Sequence, residues 1–451
     1  MSSTQSVLYI SHHFPPSFAI GGKRAWRMAR YLPEHGWRAA IVTSSEPPPE
    51  QRDATPLDLP DGTSLHRTYY PRWYRSGARL ASNGAIATPN RAAPRPTLLS
   101  RVGRWSRPLV GRDLWLLPRQ AVHLARLARQ ERASVILASA SPHASLAHGL
   151  AAARLAGLPF VAELRDPWTL NPLLSPATAA HAAAERRIEA AVLRSAARVV
   201  VTTEATASAY RGAFPDLDPE HFVVIHNTFD PALRPVAAPH SCEGPLRLVH
   251  FGSCYAGRRL EDVFRAIALL RERGVSPERF SVRNLGRVDQ RDVDLAAELG
   301  LGASFTWQTA MPYSEGLREV ATADRLLLLA HGSETLFLPG KLFDYLLGGR
   351  PILAVAAPSE LTEILGRTRS GIAVAPGDFA GLADQLHAAL RDRDRPFEPD
   401  REALAPFEGG AAARRLAEVL SRAAAQQTTS LAAAATAREP NFAAAAAEGE
   451  R

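Results

Sequence analysis

The chain has 451 residues, 46% of them hydrophobic, and a formal net charge of +8. This length predicts two domains of about 200 residues each, with enough apolar residues for packed cores. No apolar run is long enough to cross a bilayer, the N-terminus lacks the features of a signal peptide, and the two cysteines form neither a disulfide framework nor a metal-ligand cluster. We therefore expect a cytoplasmic protein without a structural metal.

The first half of the chain alternates short apolar runs with amphipathic segments, as in a doubly wound parallel sheet. The predicted strands are Val7–Ile10, Ala39–Thr43, Val135–Ala138, Phe160–Leu164, Val199–Thr202 and Phe222–Ile225. The predicted helices are Lys23–His35, Trp115–Arg132, His143–Ala156, Thr178–Ser195 and Glu204–Phe214. Gly21 and Gly22 precede the first helix, where the backbone can approach a ligand closely. They do not form GxGxxG, so the dinucleotide fingerprint is missing.

Polar residues follow two of these strands. His143 comes after the strand at 135–138, and Arg165 and Asp166 come directly after Phe160–Leu164. In open α/β sheets such positions lie on the edge where ligands bind, which makes His143 and Asp166 candidate catalytic residues. A simple ion pair between Arg165 and Asp166 explains those two residues equally well.

A basic segment interrupts the first half, and we interpret residues 45–110 as an insertion. Between His66 and Arg112 there is no acidic residue, while arginines alternate with tyrosines and tryptophans. The arginines are Arg67, Arg72, Arg75, Arg79, Arg91, Arg95, Arg101, Arg104 and Arg107. The aromatic residues are Tyr69, Tyr70, Trp73, Tyr74 and Trp105. This composition suits an anionic membrane surface or an anionic acceptor. A solvated loop is the other interpretation, and nucleic acid fits least.

A proline-bearing linker, Pro231 to Pro245, predicts the domain boundary. We expect domains at 1–232 and 233–405, a terminal helix at 406–425 and a disordered alanine-rich tail at 426–451. The second half repeats the βα alternation. Its predicted strands are Leu246–Phe251, Phe280–Leu285, Ser304–Trp307, Arg325–Leu329, Ile352–Val355 and one near Ile372.

The second half contains two segments suited to phosphate. In the first, Gly252 and Ser253 follow a strand, and Arg258 and Arg259 precede a helix. In the second, Lys341 opens a helix, where its charge adds to the partial positive charge of the helix N-terminus. Asp344 lies about one turn later, where a carboxylate can accept hydrogen bonds from a ribose diol. A solvated helix start is the other interpretation of Lys341 and Asp344.

Five motifs occur in a recognisable order: FPPSFAIGGKRAWRMARYL, ELRDPW, VVIHNTFD, HFGSCYAGRR and LPGKLFDYLLGGRPIL. Together they resemble the family 4 glycosyltransferases of the GT-B fold, especially bacterial members that build polysaccharides and glycoconjugates. The resemblance spans Val7 to about Ala425. It implies two Rossmann-like domains facing a cleft, a nucleotide-sugar donor, retention of anomeric configuration, and no obligatory metal or other cofactor. It also implies a glycan or polyprenyl-linked acceptor. The basic segment, and not the resemblance, suggests a place at the inner face of the membrane, and we expect no nucleic acid as a partner.

The same resemblance assigns roles to individual residues. Asp344 matches the second carboxylate of the E-x7-E motif, which usually holds the ribose, while the first carboxylate position is occupied by Leu336. Asn227, Phe229 and Asp230 match the hinge sequence between the domains. The donor-side residues are Gly21, Gly22, Gly252, Ser253, Arg258, Arg259, Lys341, Leu342 and Asp344. Apart from the resemblance, we expect Lys23, Arg24 and Arg165 on the acceptor side of the cleft.

Three other functions stay open. A sugar-nucleotide epimerase of the same fold would bind nucleotide without needing an acceptor. A non-catalytic GT-B-like binding subunit is consistent with Leu336, because a leucine cannot do the work of the missing carboxylate. A nicotinamide oxidoreductase is disfavoured because GxGxxG is missing.

Overall fold

A computed structural model describes residues 4–17, 20–47, 52–53, 55, 57–69, 114–172, 178–235, 243–254, 258–309, 311–330 and 336–436. These residues form two α/β domains, each built on a parallel sheet, so the predicted fold class is confirmed.

The first sheet has seven strands in the order β3-β2-β1-β4-β5-β6-β7. They are β1 (Gln5–Ser11), β2 (Trp37–Val42), β3 (Ser64–His66), β4 (Val135–Ala140), β5 (Phe160–Leu164), β6 (Arg198–Val201) and β7 (Phe222–Val224). The helices of this half are α1 (Ile20–Tyr31), α2 (Leu117–Gln130), α3 (Ala144–Ala156), α4 (Ala179–Ser195) and α5 (Glu204–Ala213). Because α1 begins at Ile20, Gly21 and Gly22 lie in its first turn and not in a loop before it.

The second sheet has six strands in the order β10-β9-β8-β11-β12-β13. They are β8 (Leu246–Phe251), β9 (Phe280–Leu285), β10 (Phe305–Gln308), β11 (Arg325–Ala330), β12 (Ile352–Ala356) and β13 (Gly371–Val374). The helices of this half are α6 (Glu261–Glu272), α7 (Gln290–Glu298), α8 (Tyr313–Ala321), α9 (Lys341–Gly348), α10 (Glu360–Arg367), α11 (Phe379–Arg391), α12 (Arg401–Leu404) and α13 (Gly409–Thr436).

Local sequence signals set the ends of several helices. Thr178 and Thr203 are N-caps whose side chains accept from backbone N–H groups in the first turns of α4 and α5. Gly157 and Gly349 end α3 and α9 with φ of 69° and 64°, a left-handed conformation that glycine adopts without a steric penalty.

The C-terminal helix returns to the first domain. Ala413, Leu416 and Leu420 of α13 are buried in the same cluster as Trp26 and Trp37. The Trp37 Nε1 donates to the Ser421 hydroxyl over 3.0 Å, which fixes the helix against β2. This helix therefore completes the core of the N-terminal domain, although it follows the second domain in sequence.

The helix is also longer than predicted. Residues 426–436 were expected in a disordered or marginally helical tail, and in the structure they form the last part of α13, which continues to Thr436. Alanine has the highest helix propensity, so an alanine-rich segment can extend a helix that is already anchored. Residues 437–451 lie outside the described part of the chain.

Part of the predicted insertion belongs to the sheet, since β3 pairs with β2 at its edge. Tyr69 is fully buried and its hydroxyl hydrogen-bonds to His148 over 2.7 Å. Arg67 donates to the Pro15 carbonyl and lies 3.7 Å from Glu46. Arg67 therefore lies near a carboxylate from another part of the chain, although its own segment has none. Because Arg67 is paired and Tyr69 is buried, neither residue is available to a membrane. Residues 70–112 lie outside the described part.

The two sheets face each other through the carboxyl ends of their strands. The Thr203 hydroxyl, after β6, lies 2.6 Å from the Leu336 carbonyl oxygen, after β11. Asp53, after β2, accepts a hydrogen bond from the backbone of Tyr313, after β10. None of the helices that the structure describes is long and apolar enough to cross a membrane.

Candidate functional site

Each sheet has one point where the strand order changes direction. It lies between β1 and β4 in the first domain and between β8 and β11 in the second. Chain connections leave such a point on opposite faces of the sheet, which opens a crevice at the carboxyl ends of the strands. Most of the predicted site residues follow these four strands or their neighbours.

Arg165 is central to the wall of the first domain. Its side chain donates to the carbonyl oxygens of Ala140 and, over 3.1 Å, of Ser141. Its guanidinium lies against Gly21 so closely that a Cβ on that glycine would be 1.1 Å from the Arg165 Nη1. A Cβ on Gly22 would meet the Phe14 backbone at 3.0 Å. The paired glycines thus let α1 approach both the arginine and the preceding loop.

Three histidines surround this arginine, and all are neutral at physiological pH. Burial, with the nearby Arg165 charge, lowers the pKa of His12 and of His143 to about 4. Burial, His12 and Arg165 together lower the pKa of His13 to about 3. The His143 ring also stacks on Trp168, with centroids 5.0 Å apart. A histidine this acidic is a poor proton acceptor at pH 7.

Asp166 is exposed to solvent, unlike most of its neighbours. The protein atoms crowded around it displace enough water to raise its pKa, although Arg165 opposes that rise. The structure thus brings His143, Arg165 and Asp166 to one wall of the cleft. Asp166 is the most exposed residue of the three.

Arg24, predicted on the acceptor side, is buried where the first domain meets the hinge. It is 3% exposed, and its Nε donates to Glu163 over 2.9 Å. Its two terminal nitrogens donate to the carbonyl oxygens of His226 over 2.7 Å and of Ile225 over 3.0 Å, which belong to the hinge between the domains. A cation at this position of α1 therefore holds the hinge.

Lys23, also predicted on the acceptor side, lies at the contact between the two domains. It is 8% exposed, and its Nζ lies 2.9 Å from the centroid of the Tyr313 ring in the other domain. Helical spacing puts Lys23 and Arg27 one turn apart on the same face of α1. That face packs against the second domain, so these cations were buried by tertiary structure and not left in the cleft.

Glu163 is a residue of this wall that sequence reasoning missed. It is fully buried at the fourth position of β5, where it accepts from the Tyr9 hydroxyl over 2.8 Å as well as from Arg24. Burial alone would raise its pKa, but Arg24 and hydrogen bonds from Ser139 and Tyr9 hold the pKa of Glu163 below its usual value. The available signal was a lone carboxylate inside the apolar run FVAEL.

Lys341 is central to the wall of the second domain. Its Nζ lies 2.9 Å from the His250 Nε2 and 3.3 Å from the Ser253 carbonyl oxygen. The other ring nitrogen of His250 lies 2.9 Å from the Leu327 carbonyl, so it carries the proton and Nε2 accepts from the lysine. Burial and the lysine charge keep the pKa of His250 well below its usual value.

Two glycines shape the surface beside Lys341. Gly252 has φ of 135°, and a Cβ there would meet the Lys341 Cε at 2.2 Å. Gly286 has φ of 153°, and a Cβ there would lie 2.4 Å from the Gly252 backbone. Gly286 was not predicted; the signal was a glycine directly after the strand Phe280–Leu285. The two backbones thus meet in a way that only glycine allows.

Not all predicted donor-side residues face the crevice. Arg258 is 8% exposed and buried beside it. Arg259 is held in ion pairs with Asp292, at 3.1 Å, and Glu261, at 2.5 Å. Leu342 is fully buried in the core and anchors α9.

Asp344 lies one turn into α9, as predicted, and is shared between the domains. Its Oδ1 accepts from the Tyr313 hydroxyl over 2.5 Å and lies 3.9 Å from the Arg27 guanidinium. Leu336, in the first carboxylate position, contributes its backbone carbonyl to a contact with Thr203 and Thr206. Across the described ranges, no group of three or more His, Cys, Asp or Glu residues is arranged to hold a metal ion.

Comparisons with known proteins agree with this geometry. The Glycosyltransferase Family 4 model matches residues 85–233. A Rickettsia africae glycosyltransferase structure is 11% identical, covering 94% of this chain and 99% of its own, with a TM-score of 0.57. HepE from Anabaena in complex with UDP is 16% identical, covering 95% and 100%, with a TM-score of 0.53. A UDP-GlcNAc 2-epimerase from Methanocaldococcus jannaschii is 10% identical, covering 92% and 99%, with a TM-score of 0.51. Comparison with curated protein sequences gives no significant match.

The two facing parallel-sheet domains with a crevice at each switch point define a GT-B protein. Within that class the chain resembles the family 4 glycosyltransferases, because their family model matches residues 85–233, while the solved structures show the fold alone. Epimerases share the architecture, so the fold alone does not choose the reaction.

Proposed function

We propose that this protein is a retaining glycosyltransferase that moves a sugar from a nucleotide-sugar donor to a glycan or lipid-linked acceptor. The observation that carries the proposal is the position of Lys341, over Gly252 and at the start of α9, at the switch point of the second sheet. A cation, a glycine surface and a helix N-terminus converge there, which is the chemistry that a diphosphate requires.

The donor would lie across this crevice. Its diphosphate oxygens would meet Lys341 and Arg258, and its ribose diol would meet Asp344, three residues further along α9. HepE, whose structure contains UDP, supports a nucleotide-sugar donor.

The chain would act on this donor mainly by electrostatics. Cleavage of the bond to the sugar leaves negative charge on the diphosphate, and Lys341 and Arg258 stabilise that charge as it develops. His250 is neutral and fixed in one tautomer, so it orients the Lys341 ammonium without competing for its charge. No cofactor is proposed, since the nucleotide-sugar supplies the leaving group.

Asp166 is the better of the two proposed candidates for deprotonating the acceptor hydroxyl. It is exposed to the cleft, and its raised pKa makes it a stronger base than an ordinary aspartate. His143 is stacked on Trp168, and the pKa of about 4 that burial imposes leaves it a weaker candidate.

Peripheral attachment at the cytoplasmic face of a membrane is part of this proposal, because a lipid-linked acceptor lies there. The structural feature that favours membrane attachment is the outer face of α2 and the turn before it. Trp115 is 58% exposed and Val122 43% exposed, with the exposed Arg119 and Arg126 between and beside them. Residues 114–130 contain no acid, so this face suits anionic headgroups and the apolar layer below them.

The proposed reaction is tested by incubating the protein with a panel of nucleotide-sugars, with and without polyprenyl-linked acceptors. We expect acceptor-dependent release of nucleoside diphosphate that persists in EDTA, and product NMR showing the donor's anomeric configuration. Lys341→Ala should lose about tenfold to a hundredfold in kcat/KM, the value of one or two charged hydrogen bonds. The control Arg395→Ala removes a 79%-exposed cation and should leave turnover unchanged.

Other outcomes of the same assay point to the other functions. Conversion of the nucleotide-sugar without any acceptor would establish an epimerase in place of a transferase. A rise in melting temperature with nucleotide but no turnover would establish a binding subunit.

Membrane attachment has its own test in co-sedimentation with phosphatidylglycerol vesicles at low and high salt. We expect salt-sensitive pelleting that is lost in the triple variant Trp115→Ser, Arg119→Ser, Arg126→Ser. The control Arg414→Ser, Arg415→Ser removes two exposed arginines from α13 and should still pellet. Equal pelleting of the triple variant and the wild type would remove α2 from the membrane surface.

A further inference from the structure

Tyr313 lies at a junction between the two domains. It is 5% exposed and opens α8 of the second domain, where its hydroxyl donates to Asp344. Its ring stacks on Phe251 of its own domain, with centroids 6.2 Å apart, and its remaining polar contacts come from the first domain. The residue therefore connects the domain interface to the carboxylate that we assign to the donor ribose.

The start of α8 is capped by the other domain. No side chain of its own caps this helix, which follows Pro312. Instead the backbone N–H of Tyr313 donates to the Asp53 Oδ1 over 3.3 Å, and that of Ser314 donates to the Thr55 Oγ1 over 3.1 Å. Helix N-terminal N–H groups need such partners, so the helix gains them only when the domains are in contact.

The first domain also contacts the Tyr313 ring. The Lys23 ammonium lies 2.9 Å from its centroid and 3.7 Å from the Asp53 Oδ2. An ammonium over an aromatic face is attracted by the ring quadrupole, more strongly where water is excluded. Asp53 and Thr55 are 6% and 8% exposed, so the contact is largely dry.

The charged groups that face Lys23 are Asp53, Asp344 and Arg27, together with Tyr313. Burial lowers the pKa of Lys23 to about 8, even though both carboxylates favour its charged form. At pH 7 the ammonium is therefore mostly charged, as the contact with the ring requires. Tyr313 keeps its proton, because burial and Asp344 raise its pKa well above the usual value.

These contacts to Tyr313 affect Asp344, whose side chain is 18% exposed. One carboxylate oxygen accepts from Tyr313, and Arg27 of the first domain lies near the same oxygen. A carboxylate fixed through one oxygen presents the other in a defined direction. That is how an outer hydrogen bond orients a ligand-binding group.

We propose that Tyr313 is a positioning residue that makes the donor carboxylate Asp344 depend on domain closure. Lys23, Asp53 and Thr55 of the first domain hold Tyr313, and its hydroxyl orients Asp344 toward the ribose. This inference rests on the proposed function, since it assumes that Asp344 binds a nucleotide. Asp53 then affects nucleotide affinity without contacting the nucleotide.

The test compares three single variants and one double variant. Asp53→Ala removes the cap from the first domain, Tyr313→Phe removes only the hydroxyl, and the double variant combines them. Asp378→Ala is the matched control, because Asp378 caps α11 from within its own domain by accepting from the Gly381 N–H over 2.8 Å. Each variant is titrated calorimetrically with UDP, GDP and ADP, and its radius of gyration is measured by solution scattering without nucleotide.

We expect Asp53→Ala and Tyr313→Phe each to weaken binding of whichever probe the wild type binds by about tenfold, equivalent to one hydrogen bond to a charged group. The double variant should be no weaker than the weaker single variant. Asp53→Ala should also increase the radius of gyration, while Asp378→Ala should lower the melting temperature and change neither property.

Unchanged affinity in Asp53→Ala, or additive losses in the double variant, would overturn the proposal. If the wild type binds none of the three probes, the proposed function fails and the positioning role fails with it. An increased radius of gyration in Asp53→Ala would in that case still establish the interdomain contact by itself.

Discussion

The buried Glu163 allows a quantitative prediction about what holds the hinge. Changing Glu163 to Gln keeps the size of the side chain but removes its charge, which leaves the Arg24 guanidinium buried without a counter-ion. Glu163 is 0% exposed and Arg24 is 3% exposed in this pair, so water cannot replace the lost partner. Removing one partner of such a buried pair costs about 3–5 kcal/mol. That is a large fraction of a typical total stability of about 5–15 kcal/mol.

The assay is urea unfolding followed by circular dichroism. We expect a large fall in the midpoint for Glu163→Gln and none for Asp216→Asn. The control breaks a carboxylate–arginine pair of similar geometry, with Arg194, whose side chains are 52% and 48% exposed. Equal shifts in the two variants would refute the argument that burial sets the strength of the pair.

The pH dependence gives a second signature of Glu163. The pKa of Glu163 is lower in the folded state than in the unfolded chain. Its pair with Arg24 therefore contributes stability at pH values above the unfolded pKa of about 4.3, and this contribution is lost as the pH falls through the folded pKa. The wild type should therefore lose stability on acidification below about pH 4.3 more steeply than Glu163→Gln. Parallel curves for the two proteins would show that folding does not shift the pKa of Glu163.

Three further predictions follow from close contacts and from composition. Gly286→Ala should destabilise the protein and weaken nucleotide binding, because the new Cβ would lie 2.4 Å from the Gly252 backbone. The control Gly212→Ala, at an exposed helical position, should stabilise the protein by about 0.5–1 kcal/mol, and thermal unfolding of both variants measures these changes. Gly21→Ala should reduce turnover more than stability, because it displaces the Arg165 guanidinium from the cleft while favouring helix α1; normal kcat/KM would contradict it. Only two lysines, Lys23 and Lys341, occur among the 53 lysine and arginine residues. NMR of reductively ¹³C-methylated protein should therefore show one lysine that titrates near pH 8, and this signal should be absent in Lys23→Arg. An ordinary pKa for Lys23 would show that its ammonium group is hydrated.

The order of strands and helices was predictable because each element carries its own periodicity. The twelve strands predicted all exist, because short apolar runs between turn residues favour strands of a parallel sheet. The missed strand, β3, has only three residues and lies at the sheet edge, where burial imposes little pattern. The alanine-rich end of α13 was missed because its helical preference comes from propensity and not from an apolar face.

The candidate site was predictable where a residue's role follows from its position after a strand or at a helix start. Lys341, Gly252 and Asp344 are such residues, and the structure places all three at the switch point of the second domain. Residues whose role depends on a distant partner were not predictable. Arg259 was expected to bind phosphate but pairs with Asp292, and nothing in the loop sequence indicates that α7 lies against it.

The sequence by itself determined two α/β domains, the hinge between them and the phosphate-type segments, because each depends on residues that are neighbours along the chain. Only the tertiary structure decided what the cations of α1 do. Lys23 and Arg24 have the same charge and neighbouring positions, yet one lies on the Tyr313 ring and the other on Glu163 and the hinge carbonyls. A charge is long-ranged and can be satisfied by any partner that folding brings near, so its role is set by the contacts between elements and not by the element that carries it.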